Sequence, residues 1–353
     1  MAKGYTLSSE NRIKNLEPLR FSADGKFKIL HLTDIHKIHP DMDDDEDRSI
    51  PENKSLNTLN TIETAIELTQ PDLVVFGGDN VSGHWKEMTD EYVLWCLEKI
   101  IEPVRKRNLP LAVVFGNHDG QNEHIAQLLS REIQMSIYMG YGNFRGCFNE
   151  AEVYGCGNYH LPVMKSTGDE PAWNIWCIDS NDYPRRADRS VISYDADCVH
   201  ADQLEWYEST VKAEKEKYGR TIPSVVFQHM PVNQVFDFIE ECNENESDYE
   251  HGGRFFRAKS GAMKEGSLNE KPCPPMNDRK ELEAWVKCGD VRAAFFGHDH
   301  VNSFCFEKDG IRLYQTIGCG YETYGGKHGG RVITLYENGG FETKTVVVEQ
   351  KYK

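Results

Sequence analysis

The chain of 353 residues lacks a long apolar segment, an excess of basic residues and closely paired cysteines. No apolar run approaches the ~18 residues of a membrane-spanning helix, and residues 1–20 lack the apolar core of a signal peptide. Lys and Arg number 40 against 57 Asp and Glu, so the net charge of −17 disfavours binding to nucleic-acid backbones and anionic membranes. We therefore expect no nucleic-acid and no membrane partner.

None of the ten cysteines belongs to a Cys-x-x-Cys pair, and several lie among apolar residues, for example Cys96, Cys177 and Cys305. Buried free thiols in a reducing compartment account for this pattern better than disulfides do. The sequence as given predicts a cytoplasmic protein, or an exported one if a leader has been removed. It contains no internal repeat, and it leaves the oligomeric state open.

Strand and helix patterns alternate after an N-terminal lead-in over residues 1–25. Between residues 28 and 115 this alternation predicts a mostly parallel sheet that is covered on both faces. We expect a single domain over residues 26–353, with an insertion at about residues 232–277 that could form a lid or substrate wall. The acidic run at residues 41–47 predicts a solvated loop, and four apolar segments after residue 303 predict an antiparallel meander.

Polar side chains follow five of the predicted strands, at the point where each strand ends. In residues 111–120, five apolar residues run into Gly116, Asn117, His118 and Asp119. One such turn could be only a strand-to-helix turn with Asp119 as N-cap, but five in the same context predict a functional site at one edge of the sheet. The residues concerned are Asp34, His36, Asp79, Asn117, His118, His229, His298 and His300.

These eight residues offer a mixture of oxygen and imidazole donors. Such a mixture suits Mn, Fe, Zn or Co better than Ca or Mg. Two metals need a shared ligand, and a carboxylate can bridge them at a separation of about 3.5–4 Å. Asp79 is the natural bridge. Asn117 offers a neutral carbonyl oxygen to a metal or a substrate, and His118 can exchange a proton near neutral pH.

Five short motifs resemble, in their order along the chain, the motif set of the calcineurin-like metallophosphoesterases: Asp34-x-His36, Gly78-Asp79, Gly116-Asn117-His118-Asp119, Gln228-His229 and Gly297-His298-Asp299-His300. The resemblance spans about residues 28–300. It implies an α/β fold, namely a four-layer α/β/β/α sandwich of two mixed sheets flanked by helices. It also implies two divalent or trivalent ions of Mn, Fe or Zn that share Asp79. One would be held by Asp34, His36, Asp79 and His300. The other would be held by Asp79, Asn117, His229 and His298.

Residues 155–162 and the position of Asp179-Ser180 resemble, more loosely, the purple acid phosphatase-like branch that lacks the purple chromophore. The purple enzymes have a tyrosine three residues after the bridging aspartate, where this chain has Ser82, so no Fe(III)-tyrosinate is expected. The protein Ser/Thr phosphatases continue Gly-Asp with Val-Asp-Arg-Gly. Here Asp79 is followed by Asn-Val-Ser-Gly, which argues against that subfamily.

The resemblance implies a dinuclear metal-dependent phosphohydrolase that hydrolyses phosphomonoesters or phosphodiesters by in-line attack of a metal-bridging hydroxide. Asn117 and His118 would hold the transferring group of a small phosphorylated substrate, and His118 could protonate the leaving oxygen. One alternative is a nuclease or nucleotide phosphodiesterase of the same fold, which the acidic balance disfavours. Another is a non-catalytic scaffold, which would be expected to have lost ligands.

Arginines in two loops could bind a second phosphate or a carboxylate, although solvated surface arginines are the simpler explanation. They are Arg185, Arg186 and Arg189 after Asp179, and Arg254 and Arg257 in the insertion. Tyr321 and Tyr324, in a Gly-rich turn, could stack on a substrate ring or could only pack.

Overall fold

The computed structural model describes residues 16–42, 52–188, 190–278 and 280–352. Most of the lead-in, most of the acidic run at residues 41–47, and Arg189 lie outside the described residues. All ten cysteines are free thiols, and seven of them are buried, as expected. No helix in the described ranges has the length and apolar character needed to cross a membrane.

Most strands and helices lie where the apolar patterns of the sequence predict them. The strands are β1 (Lys26–Leu32), β2 (Leu73–Gly77), β3 (Leu111–Val114), β4 (Tyr159–Met164), β5 (Pro171–Cys177), β6 (Ser224–Phe227), β7 (Ile239–Cys242), β8 (Tyr249–His251), β9 (Arg254–Ala258), β10 (Val291–Phe296), β11 (Cys305–Lys308), β12 (Ile311–Gln315), β13 (Gly329–Tyr336) and β14 (Phe341–Val347). The α-helices are α1 (Glu52–Thr69), α2 (Asp90–Lys106), α3 (Arg131–Met139), α4 (Ala201–Tyr218) and α5 (Glu281–Cys288).

Two mixed sheets carry the fold. The five-stranded sheet has the order β14-β13-β1-β2-β3, and its β1, β2 and β3 are parallel, as the alternating strands and helices predict. The six-stranded sheet has the order β11-β12-β10-β6-β5-β4, with β5, β6, β10 and β12 parallel. Parallel strands buried on both faces explain why these segments are almost continuously apolar.

Alternate side chains of the six-stranded sheet face two different cores. One set, which includes Phe227 and Phe295, packs in a core shared with the five-stranded sheet. The other set, which includes Trp176 and Phe296, packs with Trp285 of α5 and with α4. Helix α1 contacts β1 and β13 and packs beside α2, so it covers the five-stranded sheet. The result is a four-layer α/β/β/α sandwich, which confirms the predicted fold class.

The predicted meander of the last four strands is wrong. The β11–β12 hairpin belongs to the six-stranded sheet, where β12 runs parallel to β10. The β13–β14 hairpin belongs to the other sheet, where β13 pairs antiparallel with β1. The apolar pattern identifies the buried residues but does not identify the neighbouring strand, so the crossing between sheets could not be predicted.

The predicted insertion contains a separate three-stranded sheet of the order β7-β9-β8. A short 3-10 helix, Asn233–Phe238, leads into it, and residues 259–277 return to α5 without regular structure. The domain boundaries themselves stay a prediction.

Candidate metal centre

The eight predicted donors follow the carboxyl ends of five strands. Three of these strands, β1, β2 and β3, belong to the five-stranded sheet, and β6 and β10 belong to the six-stranded sheet. The site therefore forms where the edges of two sheets meet, whereas the sequence alone predicted one edge of one sheet.

Six of the donors form two groups, each of which could hold a metal ion. The first group is Asp34, His36 and His300, and the second is Asp79, His229 and His298. Within each group the ligand atoms lie within 4.8 Å of one another.

Asp79 lies between the two groups. Its Oδ2 is 3.2 Å from Nε2 of His229 in the second group and 3.5 Å from Nε2 of His36 in the first. His36 Nε2 is in turn 3.2 Å from His300 Nε2. A carboxylate in this position can reach ions in both groups.

Three of the four donor imidazoles have an Nδ1 atom that is held by an oxygen of the protein. His229 Nδ1 donates to the carbonyl oxygen of Gly77 at 3.0 Å, and His300 Nδ1 donates to that of Tyr324 at 2.9 Å. The Ser82 hydroxyl donates to the carbonyl of His36 at 3.0 Å and accepts from Nδ1 of the same residue at 3.2 Å. These bonds leave each Nε2 as the ligand atom, the usual arrangement of metal-binding histidines.

Several donor atoms are buried without a hydrogen-bond partner among the described residues: Asp79 Oδ2, Asn117 Oδ1 and His229 Nε2. Buried polar atoms almost always have a partner, because an unsatisfied one costs free energy. Two carboxylates, an amide oxygen and four imidazoles also match the ligands that transition metals prefer. The donor set therefore fits two cations.

The turns that carry the donors have left-handed backbone conformations. The φ angles are 53° at Asp34, 47° at His36, 50° at Asp79 and 76° at His298, all unfavourable for residues with a Cβ. Strain of this kind concentrates at functional sites. At Gly78, where φ is 96°, a Cβ would lie 2.5 Å from Nδ1 of His229, so the close approach of the two loops requires glycine.

Burial and the charges of facing groups together set the pKa values in the site: burial lowers the pKa of His36 and of His298, whereas Asp79 and His229 stabilise each other's charges. Burial alone would raise the pKa of Asp79, but the imidazoles around it, His229 foremost, together outweigh burial and hold that pKa well below its usual value. Conversely, burial alone would lower the pKa of His229, but Asp79 raises it to about 10. The buried carboxylates thus stabilise positive charge at the facing His229, and the same carboxylates could stabilise a cation.

Asn117 and His118 lie in the turn after β3. The Asn117 Nδ2 group donates to the Tyr183 hydroxyl at 2.7 Å, which leaves its Oδ1 as a possible ligand. The His118 backbone N–H donates to Asp79 Oδ1 at 2.7 Å, and its Nδ1 lies 2.6 Å from Oε1 of Gln121. His118 belongs to neither metal-binding group and is partly exposed.

Asp119 holds two of the turns together rather than capping a helix. Its carboxylate accepts hydrogen bonds from the backbone N–H groups of Gly116, Asn80 and Val81 at 2.7, 2.8 and 3.1 Å. Burial raises its pKa to about 7. It therefore fixes the position of the β3 turn relative to the β2 turn.

The arginines predicted near the substrate are held by neighbouring groups. Arg185 pairs with Asp182 at 2.6 Å, and Arg186 donates to the carbonyl of Val191 at 2.7 Å. Arg254, whose side chain is 62% exposed, pairs with a glutamate on β7. Arg257 likewise bonds glutamates of the insertion. Their role in substrate binding stays a prediction.

The two tyrosines of the Gly-rich turn have different neighbours. The ring of Tyr321 stacks on that of His328 at 3.7 Å. The ring of Tyr324 stacks on the imidazole of His300 at 4.1 Å. Tyr324 therefore contacts a donor of the first group, and substrate contact by Tyr321 stays a prediction.

Three residues beside the site were not predicted from the sequence: Tyr183, Gln121 and His84. The His84 ring lies 4.9 Å from that of His118, and burial lowers the pKa of His84 to about 4, so His84 is neutral at physiological pH. Gln121 and His84 occur within a few residues of the motifs, and that proximity is the signal that could have identified them.

The two stacked sheets and the paired metal-binding groups at their edge have the arrangement that the resemblance to the metallophosphoesterases implies. The family model of the calcineurin-like phosphoesterases matches residues 27–302, and the chain therefore belongs to that family.

Relatives of this chain support the resemblance to the purple acid phosphatase branch. The chain is 29% identical over 326 residues to probable inactive purple acid phosphatase 14 of Arabidopsis thaliana, covering 87% of this chain and 74% of that protein. It is 25% identical over 339 residues to the phosphatase DCR2 of Saccharomyces cerevisiae, covering 94% of this chain and 52% of that protein.

Among solved structures, a dimetal phosphatase from Danio rerio is similar with a TM-score of 0.51 and 14% identity. The match covers 88% of this chain and 93% of that one. At this identity the similarity demonstrates the shared fold.

Proposed function

We propose that this protein is a dinuclear metal-dependent phosphohydrolase acting on a small phosphomonoester or phosphodiester. The observation that carries the proposal is the position of Asp79, whose buried Oδ2 has no hydrogen-bond partner among the described residues and faces an imidazole of each metal-binding group. A buried carboxylate between two imidazole groups suits a bridging ligand.

The proposed ligands follow from the two groups. Asp34, His36, Asp79 and His300 would hold one ion, and Asp79, Asn117, His229 and His298 the other. Manganese, iron and zinc all accept this mixture of oxygen and nitrogen donors. When bound, two such ions would supply an activated water and neutralise charge on the phosphoryl oxygens.

His118 is the proposed catalytic residue. Its Nδ1 is held by Gln121, so its Nε2 can face a phosphoryl group and hold a proton for the leaving oxygen. The Asn117 side chain, positioned by Tyr183, would help to hold the same group.

The names of the Arabidopsis relatives suggest a second candidate, a protein with this fold and no activity. The donor set argues for catalysis, because six of the predicted residues form two groups in which the ligand atoms lie within 4.8 Å of one another. Ser82 stands where the purple enzymes have the chromophore tyrosine. The first group still has its imidazole donor, because His36 supplies it and Ser82 orients it.

Charge and thiol content favour a small substrate and a reducing compartment. The net charge of −17 opposes binding of polyanions such as nucleic acids. Ten free thiols favour a cytoplasmic setting.

The test is a substrate screen on protein loaded with manganese, iron or zinc. Phosphomonoesters, phosphodiesters and nucleotides should be compared at equal concentration, with chelated protein and the His118→Asn variant as controls. We expect hydrolysis of at least one class, lost on chelation and strongly reduced in the variant. Protein that binds two metals and hydrolyses none of these esters would instead support the inactive scaffold.

A further inference from the structure

A cavity of about 480 Å³ lies beside the candidate metal centre. His298 of the second metal-binding group lines it, as does Tyr183, which hydrogen-bonds Asn117. Small-molecule sites typically measure about 300–1,000 Å³. A compound in this cavity would therefore lie against one donor of the proposed centre and against the residue that positions Asn117.

The walls of this cavity combine apolar and aromatic side chains with the charged residues Asp195 and Lys271. Tyr194, Phe236 and Met276 line it although they are 70%, 39% and 73% exposed. Single exposed apolar residues are normal at a protein surface, but three around one cavity indicate a ligand surface.

Both ends of the predicted insertion contribute to the walls. Phe236 lies in the 3-10 helix that begins the insertion, and residues 272–276, Pro-Cys-Pro-Pro-Met, lie near its end. Proline-rich backbone loses little entropy when a ligand binds, because its φ angles are already restricted. The insertion thus borders the cavity, and its role as a substrate wall stays a prediction.

The geometry of the aromatic rings suits a flat ligand. The rings of Tyr183 and Tyr194 meet edge to face, with centroids 5.1 Å apart and planes at 76°. A further ring can extend this packing, since aromatic groups prefer such edge-to-face or offset contacts. A second cavity, of about 370 Å³, contrasts with it, because charged residues such as Arg131, Asp182 and Arg185 dominate its lining.

We propose that the cavity beside His298 binds the planar aromatic leaving group of a phosphate ester, with Tyr194 and Phe236 as specificity-determining residues. The proposal rests on the proposed function, because the phosphoryl group must occupy the metal centre. Hydrolysis would break the P–O bond, with water supplying a hydroxyl to phosphorus and a proton to the leaving oxygen.

The test measures binding, so that it does not depend on turnover. Isothermal titration calorimetry of manganese-loaded protein would compare phenylphosphonate with methylphosphonate, which share the phosphoryl group and differ in the ring. A nucleoside 5′-phosphonate distinguishes a nucleobase from a simple aryl group as the natural ring. The variants are Tyr194→Ala and Phe236→Ala. Phe148→Ala is the matched control, because Phe148 is 37% exposed and lines neither cavity.

We expect a ring-bearing ligand to bind about tenfold more tightly than methylphosphonate, as contact with aromatic side chains provides. Tyr194→Ala and Phe236→Ala should each remove most of that tenfold advantage and leave the affinity for methylphosphonate unchanged. Phe148→Ala should keep the advantage. The inference would be overturned if the wild type bound all ligands with equal affinity, or if the variants lost affinity equally for all of them. Either result would leave the proposed function standing. Failure of every phosphonate to bind would contradict the proposed function itself and the inference with it.

Discussion

Replacing Lys37 with methionine should destabilise the protein and weaken its first metal-binding group. Lys37 follows His36 directly, and its side chain is fully buried in an ion pair with the equally buried Glu322. The ammonium group also donates to Ser55 Oγ at 2.5 Å, and Glu322 accepts from the Thr58 hydroxyl.

The expected loss follows from the burial of both partners. Removing one member of a buried ion pair leaves the other charge unpaired and typically costs about 3–5 kcal/mol of unfolding free energy. The double variant Lys37→Met/Glu322→Leu should regain most of this loss, because apolar residues can replace a buried pair at little cost.

The same substitution should affect metal binding, since the segment of Glu322 supports the donors. The backbone N–H of Gly320 donates to the Asp34 carbonyl at 3.0 Å, and the carbonyl of Tyr324 holds His300. Loosening the residues between these contacts should lower the metal affinity of the first group more than that of the second.

Urea denaturation of metal-free protein would measure the change in stability, and titration with manganese the change in affinity. Lys165→Met is the control, because Lys165 and Glu170 form an ion pair that is 37% and 58% exposed, and this change should leave the unfolding midpoint unaltered. Wild-type stability in Lys37→Met, or a double variant as unstable as the single one, would refute the reasoning.

Three further predictions concern catalysis, colour and pH. His118→Asn should retain both metals and lower turnover of alkyl esters by about 10²–10⁴-fold, with a smaller loss for p-nitrophenyl esters, whose leaving group needs no proton; equal losses would indicate charge stabilisation instead. Iron-loaded protein should show no tyrosinate band in a visible spectrum, because Ser82 stands at the chromophore position. Burial alone would lower the pKa of His160, but hydrogen bonds to Glu150 and Glu214 raise it to about 9, from 6.5. Protonated His160 should therefore add about 3 kcal/mol to the free energy of unfolding below pH 6.5, and this contribution should disappear as the pH rises towards 9. In urea denaturation, the difference in stability between the wild type and His160→Gln should shrink over that pH range.

The elements with a clear apolar period could be predicted from the sequence. Helix α4 and strands β6 and β10 have the bounds that their patterns indicate. Strand partners could not be predicted in the same way, because pairing depends on contacts between distant segments. The parallel pairing of β12 with β10, instead of a meander, is one such case.

The donors of the site could be predicted because residue type and position at strand ends are local properties. Most of the groups that orient these donors could not be predicted, since they come from distant parts of the chain. Ser82 is 46 residues from the His36 that it holds, and Tyr183 is 66 residues from Asn117. The same limit applies to Arg185, whose pairing with Asp182 and Glu123 depends on the folded loop.

Metal stoichiometry tests the central claim most directly. Elemental analysis of manganese-loaded wild-type protein should approach two equivalents, and Asp79→Ala should lose more than one of them, because Asp79 would serve both ions. Asp72→Ala is the matched control, since Asp72 precedes the amino end of β2 while Asp79 follows its carboxyl end, and it should keep both equivalents. Retention of two equivalents by Asp79→Ala would contradict the bridging role, and failure of the wild type to bind manganese, iron or zinc would contradict the dinuclear centre itself.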